Sequence, residues 1–204
     1  MHFPKEILKV LKCQQCKCDL IFVDTSLFCN NCKIKYPIVD DLIFMGYRSS
    51  DHDYIQDVIE VEKNHQTELS DMQHHYDFAP DSFKLALLSI DILKDLINVK
   101  NPIAIDIGSG GAPFSKLLAD ESFNTFRVEL DPNSNFMGLL YEHDNLGIGK
   151  HIVADASMLP FQNNSIDVVF CKEFIHHIKN YDDIFSEINR VLKKGGIFLM
   201  IEPT

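Results

Sequence analysis

Two pairs of cysteines near the start of the sequence have the spacing of a metal site. Cys13 and Cys16 form one C-x-x-C pair, and Cys29 and Cys32 form a second pair after twelve intervening residues. Each pair can form a tight turn that directs two thiolates at one point, and two such turns supply the four tetrahedral ligands that structural zinc prefers. Four protein ligands leave no open position for a substrate, so the spacing predicts a structural zinc site and not a catalytic one.

The residues around these cysteines are typical of a small metal-stabilised unit. The apolar stretches Leu20–Val23 and Leu27-Phe28 predict a hairpin between the two pairs. About 40 residues cannot build a stable core alone, so the metal is expected to contribute to the free energy of folding. Cys18 is a fifth cysteine in this segment, and we interpret it as a spare thiol beside the first turn.

A glycine-rich turn follows the apolar run Ile103–Ile107 and comprises residues 108–112, Gly-Ser-Gly-Gly-Ala. Such a turn after a buried strand lets the backbone approach a ligand at the start of the next helix. The dinucleotide motif G-x-G-x-x-G would need glycine where this sequence has Pro113, so the turn does not match that motif.

Three acidic residues are expected at the ends of successive strands. Asp106 precedes the turn, Glu129 lies 21 residues after Gly108, and Asp155 follows the third predicted strand. Glu129 can accept hydrogen bonds from ribose hydroxyls, and Asp155 can accept one from an adenine amino group. Asp106 can orient the turn or meet the amino group of a methionine moiety. The alternative for Asp106 and Asp155 is a carboxylate that caps a turn or helix.

Strands and helices alternate from Pro102 onward, which predicts an α/β fold with a doubly wound, mostly parallel, Rossmann-like sheet. We expect Lys193-Lys194 in the last turn of the final helix and Gly195-Gly196 as its stop. The predicted strands are 103–107, 125–130, 151–154, 166–171 and 197–201, and the predicted helices run from the turn to about 120, over 133–140 and over 182–192.

Three segments are predicted along the chain. Residues 1–46 form the four-cysteine ribbon, and residues 102–204 form the cofactor-binding domain. Residues 47–101 form a helical connector or lid, in which apolar spacing predicts helices over 51–75 and from about 81 to 97.

The cysteine-rich segment resembles the Trm112-type zinc ribbons. The resemblance includes Leu11-Lys12-Cys13 through Cys32 and the stretch Tyr36-Pro37-Ile38 that continues to Phe44. Some members of that family are small partners of methyltransferases and others are fused to them. The resemblance therefore implies bound zinc and a protein partner that docks on the ribbon.

Residues 102–203 resemble the class I S-adenosylmethionine-dependent methyltransferases. The motifs that carry this resemblance occur in order at 106–110, 128–132, 155–161, 165–169 and 191–196. The resemblance implies S-adenosylmethionine as cofactor and methyl transfer to a small-molecule, lipid or glycan-type acceptor. The family's sheet ordinarily has two further strands, so the sheet here is expected to be cut after the fifth strand.

The resemblance also implies a role for each matching residue. Gly108, Ser109 and Gly110 would contact the methionine part through their backbone, and Glu129 would bind the ribose. Asp155 and Ala156 would hold the adenine. Lys172, just past the fourth strand, would line the methionine side.

The segment after the fourth strand faces the reacting methyl group in that family. Its titratable residues Glu173, His176 and His177 are the candidate catalytic groups. Histidine can act as a general base because it titrates near neutral pH. The alternative is that one histidine packs in the fold and the other is solvated.

The charge and composition bear on partners and compartment. A net charge of -11 argues against a nucleic-acid partner, so RNA is the less favoured acceptor. Six lysines lie between residues 5 and 35, and we interpret them as a solvated face of the protein. No secretory signal or apolar run long enough to span a membrane is present, which predicts a cytoplasmic protein. An RNA base methyltransferase and a catalytically silent cofactor-binding module remain alternatives. An NAD-dependent oxidoreductase is disfavoured by Pro113 and Asp155.

Overall fold

The helices and strands follow from a computed structural model, which describes residues 3–39, 41–46, 80–110, 114–132, 134, 146–147 and 149–203. The helices are α1 (Lys5–Val10), α2 (Pro80–Leu96), α3 (Phe114–Asp120) and α4 (Tyr181–Val191), with short 3-10 helices at Ala156–Met158 and Ile175–His177. The strands are β1 (Leu20–Val23), β2 (Ser26–Cys29), β3 (Lys35–Val39), β4 (Leu42–Phe44), β5 (Ile103–Ile107), β6 (Asn124–Glu129), β7 (His151–Val153), β8 (Ile166–Lys172) and β9 (Leu192–Ile201). Three predicted features lie partly or wholly outside the described residues. They are the helix 51–75, most of the helix 133–140, and the end of the glycine-rich turn with Pro113 after it, residues 111–113.

The nine strands of the described residues form one sheet in the order β1-β2-β3-β4-β7-β6-β5-β8-β9. The strands β5 to β9 pair in parallel, which confirms the predicted Rossmann-like arrangement. The sheet is larger than the five strands expected, because the cysteine-rich segment contributes four more. Among these, β4 pairs in parallel with β7 and places Ile43 opposite Ile152, whereas β1 to β4 pair antiparallel with one another.

The end of α4 differs from the prediction. The helix ends at Val191, and β9 begins at once with Leu192, so Lys193 and Lys194 lie in a strand. The physical reason is contact with β8, because Leu192 pairs with Ile166 and Lys193 Nζ donates to both carboxylate oxygens of Asp167 at 2.8 Å. Asp167 Oδ2 also accepts a hydrogen bond from the Ile103 N–H at 2.8 Å, which joins β5, β8 and β9.

Both faces of the sheet are covered, as expected of parallel strands. On one face, buried residues of the cysteine-rich segment and of the β5–β8 sheet share one hydrophobic cluster, in which the Phe126 and Phe161 rings lie 5.4 Å apart. On the other face, α2 packs through Ala86, Ile90 and Leu93. Within the described residues, no helix combines the length and the apolar character needed to cross a bilayer.

Candidate functional site

The strands β5 to β9 place their carboxyl ends along one edge of the sheet. The strand order reverses between β5 and β8, and such a reversal opens a crevice at that edge in doubly wound folds. Glu129 and Lys172 end β6 and β8, and the glycine-rich turn, Asp155 and Glu202 follow β5, β7 and β9. The predicted cofactor residues therefore lie along one edge of one sheet, next to this crevice.

The glycine-rich turn has the backbone geometry that requires glycine. Gly108 and Gly110 have positive φ angles of 64° and 54°. A Cβ atom at Gly108 would lie 2.2 Å from the ring of Phe174, whereas one at Gly110 would meet no atom of the described residues within 4 Å. Gly108 therefore allows the segment after β8 to pack on the turn, and Gly110 leaves the backbone open to a ligand.

Ser109 carries a buried hydroxyl in the same turn. The residue is 4% exposed, and its Oγ has no hydrogen-bond partner in the part of the chain that the structure describes. A buried hydroxyl without a partner costs about 1–3 kcal/mol. A polar atom of a bound ligand would remove this cost, so the turn fits a polar cofactor.

Gly110 is held on both sides by residues of β6. Its N–H donates to Glu129 Oε2 at 3.0 Å, and its carbonyl accepts a hydrogen bond from Arg127 Nη2. Glu129 Oε1 accepts from the Asp131 N–H at 2.9 Å. These contacts fix the Glu129 carboxylate beside the turn, in the position where we predict that it meets a ribose.

Asp106 and Asp155 both make local hydrogen bonds. Asp106 is 2% exposed, and its Oδ2 accepts from the Ser115 hydroxyl at 2.6 Å, which ties the end of β5 to α3. Asp155 Oδ1 accepts from the Ser157 N–H at 2.8 Å and caps the 3-10 helix that begins at the buried Ala156. Asp155 thus has a capping role. Its predicted contact with adenine is compatible with that role, because each carboxylate oxygen accepts more than one hydrogen bond.

Lys172 is the last residue of β8, and its side chain extends toward the start of α3. Its side chain is 11% exposed and forms an ion pair with Glu173, and its Nζ lies 5.3 Å from the ring centroid of Phe114 at the start of α3. The Glu173 side chain is 53% exposed. The ammonium group therefore lies near the helix that follows the glycine-rich turn.

The two predicted histidines lie together in the 3-10 helix Ile175–His177, with ring centroids 4.0 Å apart. His176 Nδ1 is 2.7 Å from Glu202 Oε2. Glu202 Oε1 accepts from the backbone N–H groups of Phe174, at 3.0 Å, and Ile175, at 2.7 Å. Burial opposes ionisation of Glu202, but the hydrogen bonds from His176 and the two amides outweigh it and lower the pKa of this carboxyl.

Glu202 was not among the predicted site residues. The sequence does carry a signal for it, because Glu202 immediately follows β9, and the end of that strand lies at the same edge as the ends of β5 to β8.

The four predicted metal ligands converge on one point. The sulfur atoms of Cys13, Cys16, Cys29 and Cys32 all lie within 4.8 Å of one another. The Sγ atoms of Cys16 and Cys29 are 3.6 Å apart, close to the separation of about 3.8 Å that tetrahedral Zn–S bonds of about 2.3 Å require. Cys18 is exposed and lies outside this cluster of described residues.

The two cysteine turns have the same backbone pattern. The Cys13 carbonyl accepts from the Lys17 N–H at 2.8 Å, and the Cys29 carbonyl accepts from the Lys33 N–H at 2.9 Å. Lys17 and Lys33 both have positive φ angles, near 60°. This repetition gives two equivalent turns that direct their thiols at a common centre, and the donor set fits zinc.

Comparison with known proteins agrees with this geometry. Residues 105–200 match a family of methyltransferase domains. The matched region contains the whole glycine-rich turn, Glu129, Asp155 and both histidines.

Two curated relatives extend this match. The chain is 29% identical over 138 residues to the sterol 4-C-methyltransferase of Caenorhabditis elegans, which covers 63% of this chain and 41% of the relative. It is 33% identical over 100 residues to phosphoethanolamine N-methyltransferase 2 of the same organism, which covers 47% of this chain and 22% of the relative. The chain spans less than half the length of each. The domain match and these relatives indicate an enzyme.

Solved structures show the same fold. A structure from Methanococcus maripaludis, named as an S-adenosyl-L-methionine-dependent methyltransferase, aligns with a TM-score of 0.54 and 23% identity over 63% of this chain and 60% of that chain. A chain in the complex between the Haloferax volcanii Trm112 methyltransferase activator and a methyltransferase aligns with a TM-score of 0.51 and 23% identity over 63% and 54%. At this identity, both support the methyltransferase-type fold alone.

Proposed function

We propose that this protein is an S-adenosylmethionine-dependent methyltransferase that acts on a small-molecule acceptor. The observation that carries the proposal is the glycine-rich turn, in which the buried Ser109 hydroxyl has no partner among the described residues and the Gly110 amide binds the Glu129 carboxylate. The names of the relatives, which act on a sterol and on phosphoethanolamine, favour a small molecule over RNA.

Each predicted residue has a role in holding the cofactor. The backbone of Gly108 to Gly110 would contact the methionine part, with Lys172 on the same side, and Asp106 would keep the turn oriented through Ser115. Glu129 would accept hydrogen bonds from the ribose, and Asp155 with Ala156 would hold the adenine. S-adenosylmethionine, when bound, supplies a methyl group on a sulfonium sulfur, and the sulfur keeps the electron pair of the carbon–sulfur bond as that bond breaks.

The protein's part in the chemistry is alignment and, for some acceptors, removal of a proton. A base is needed only where the accepting atom carries a proton at the working pH. Glu173, His176 and His177 are the candidates, because all three follow β8 at the crevice.

We further propose that the four cysteines bind one structural zinc ion and that the ribbon offers a docking surface for a protein partner. The unpaired thiols favour a reducing compartment such as the cytoplasm. Zinc bound to purified protein, measured by atomic absorption, should be equimolar with the chain, and a Cys29→Ser variant should lose it. Equal zinc in the Cys18→Ser control would show that the fifth cysteine is not a ligand.

The proposed activity is tested first by cofactor binding. We expect calorimetry to detect S-adenosylmethionine but not NAD, and Glu129→Ala to weaken binding at least tenfold, about 1.4 kcal/mol. Glu121→Ala is a matched control, because Glu121 is an exposed carboxylate paired with Lys94 away from the crevice. A folded protein that binds no S-adenosylmethionine would contradict the proposal, and binding without turnover of any acceptor would favour a silent cofactor-binding module.

A further inference from the structure

Glu202 and His176 form a hydrogen-bonded pair at the carboxyl edge of the sheet. Glu202 follows β9, and His176 lies in the 3-10 helix that follows β8. We infer that Glu202 is a positioning residue that holds His176 in the tautomer with an unprotonated Nε2, ready to take a proton from the methyl acceptor. The use of this proton acceptor rests on the proposed methyl-transfer function.

The hydrogen bonds of Glu202 define the tautomer. An ionised carboxylate can only accept hydrogen bonds, and Oε1 of Glu202 already accepts two from backbone amides. The nitrogen that faces Oε2, Nδ1 of His176, must therefore be the one that carries hydrogen. A neutral imidazole has one hydrogen only, so its Nε2 keeps a lone pair.

The ionised state of Glu202 is supported by its surroundings. Its three hydrogen bonds lower the pKa of the carboxyl despite partial burial. The Glu202 side chain is 21% exposed, so most of its surface is shielded from water.

The titratable residues nearest to this pair in sequence have contacts of their own. Lys172 and Glu173 precede it and form an ion pair with each other. The ring of His177 lies against that of His176. Of the partners that the structure describes for His176, Glu202 is the one hydrogen-bonded to a ring nitrogen.

The same carboxylate anchors the segment that carries His176 near the cofactor turn. The two amides that it binds belong to Phe174 and Ile175, and the Phe174 ring packs against Gly108. His176 is two residues beyond Phe174, and its side chain is 43% exposed, so a ligand in solution can reach the ring. The pair is thus tied to the turn and accessible to an acceptor.

This arrangement suits one class of acceptor, a hydroxyl or amino group whose reactive atom carries a proton. That proton would pass to Nε2 of His176 and then to solvent. The electron pair left on the oxygen or nitrogen forms the new bond to the methyl carbon. An acceptor atom without a proton would gain nothing from the pair.

The test replaces Glu202 by glutamine, which has almost the same size. The glutamine oxygen can still accept from the two amides, but its NH₂ group then faces Nδ1 and donates to it. The tautomer of His176 should therefore reverse, with hydrogen on Nε2. Nitrogen NMR of histidine-labelled protein, with His176→Gln to assign the signal, should report unprotonated Nε2 in the wild type and protonated Nε2 in Glu202→Gln.

A chemical probe gives a second readout. Diethylpyrocarbonate acylates unprotonated ring nitrogens. Without the charged hydrogen bond to Glu202, the tautomer with unprotonated Nε2 is less populated, so we expect His176 to be modified about tenfold more slowly in Glu202→Gln than in wild type. Glu121→Gln, on the surface, should match wild type. Protonated Nε2 in the wild type, or equal tautomers and rates in the two proteins, would overturn the inference. Calorimetry with S-adenosylmethionine is independent of both readouts, so failed cofactor binding with the expected tautomer would contradict the proposed function alone.

Discussion

Single residues control the shape of the glycine-rich turn. Arg127 and Glu129 bind the carbonyl and the amide of Gly110, and Phe174 closes against Gly108. The turn is therefore braced by both neighbouring strands of β5. Substitutions here should affect cofactor binding and stability together.

Gly108→Ala should destabilise the protein more than Gly195→Ala. Both glycines have positive φ, which costs an alanine about 1–2 kcal/mol, but a Cβ at Gly195 would meet nothing within 4 Å. At Gly108 the Phe174 ring must also move, which should add about 1–3 kcal/mol and weaken S-adenosylmethionine binding. Urea denaturation measures the loss of stability, and calorimetry measures the weaker cofactor binding. Equal losses of stability in the two variants would show that the Phe174 ring moves aside at little cost.

His151 should make the protein less stable in mild acid. Burial, and then the nearby charge of Arg127, lower the pKa of His151 from 6.5 to about 3. Between pH 3 and pH 6.5 the unfolded state binds a proton that the folded state does not. The free energy of unfolding is therefore complete above pH 6.5 and falls as the pH drops toward 3, by up to about 1.4 kcal/mol per pH unit.

The pH effect of His151 is measured by denaturation at several pH values. His151→Leu should reduce the slope of the free energy of unfolding against pH between pH 6 and pH 5. Both proteins carry the same cysteines, so protonation of the thiols does not contribute to the difference between them at each pH. An unchanged slope would assign the acid sensitivity to other groups.

At the scale of elements, α4 joins the cysteine-rich segment to the loop that follows Asp155. Arg190 in α4 donates to the carbonyls of Leu159, at 2.8 Å, and Phe161, at 2.7 Å, and forms an ion pair with Glu187. Lys17, in the first cysteine turn, donates to the same Leu159 carbonyl at 3.0 Å. The residues that follow the predicted adenine-binding pair Asp155 and Ala156 are therefore held by both α4 and the first cysteine turn.

Arg190→Lys should cost about 2 kcal/mol, because lysine lacks the planar donors that bind two carbonyls and a carboxylate together. Lys116→Ala is the contrast, since its ion pair with Asp120 is a largely exposed (i, i+4) pair worth about 0.5 kcal/mol or less. Chemical denaturation of both variants checks the difference. Similar small losses would mean that the Arg190 contacts are replaced by water.

At the scale of the whole molecule, the cysteine-rich segment is part of the main sheet. The parallel pairing of β4 with β7 and the shared hydrophobic cluster join the proposed zinc site to the proposed cofactor site. Loss of the metal should therefore destabilise the strands of the proposed cofactor site as well as the ribbon.

Zinc removal by a chelator should lower the stability of the whole protein by several kcal/mol, because metal binding here supplies free energy of folding. We expect calorimetric unfolding to remain a single transition at a lower temperature, with weaker S-adenosylmethionine binding. The Cys18→Ser protein should respond like wild type. Two separate transitions, with an unchanged upper one, would contradict the coupling.

Much of this organisation follows from local sequence patterns. The convergence of the four cysteines follows from their spacing, the positive φ angles at 108 and 110 follow from the glycines there, and the strands follow from short apolar runs. These features depend on residues that are near one another in sequence. The division of the chain at residue 46 and the individual site roles stay predictions.

The tertiary structure decided what depends on distant residues. Three contacts have no local signature in the sequence. They are the pairing of β4 with β7, the ion pair of Lys193 with Asp167 and the hydrogen bond of His176 with Glu202. Each joins segments whose neighbourhood is set by the order of strands in the sheet. That order results from the burial of apolar surface by the whole chain, and no short stretch of sequence specifies it.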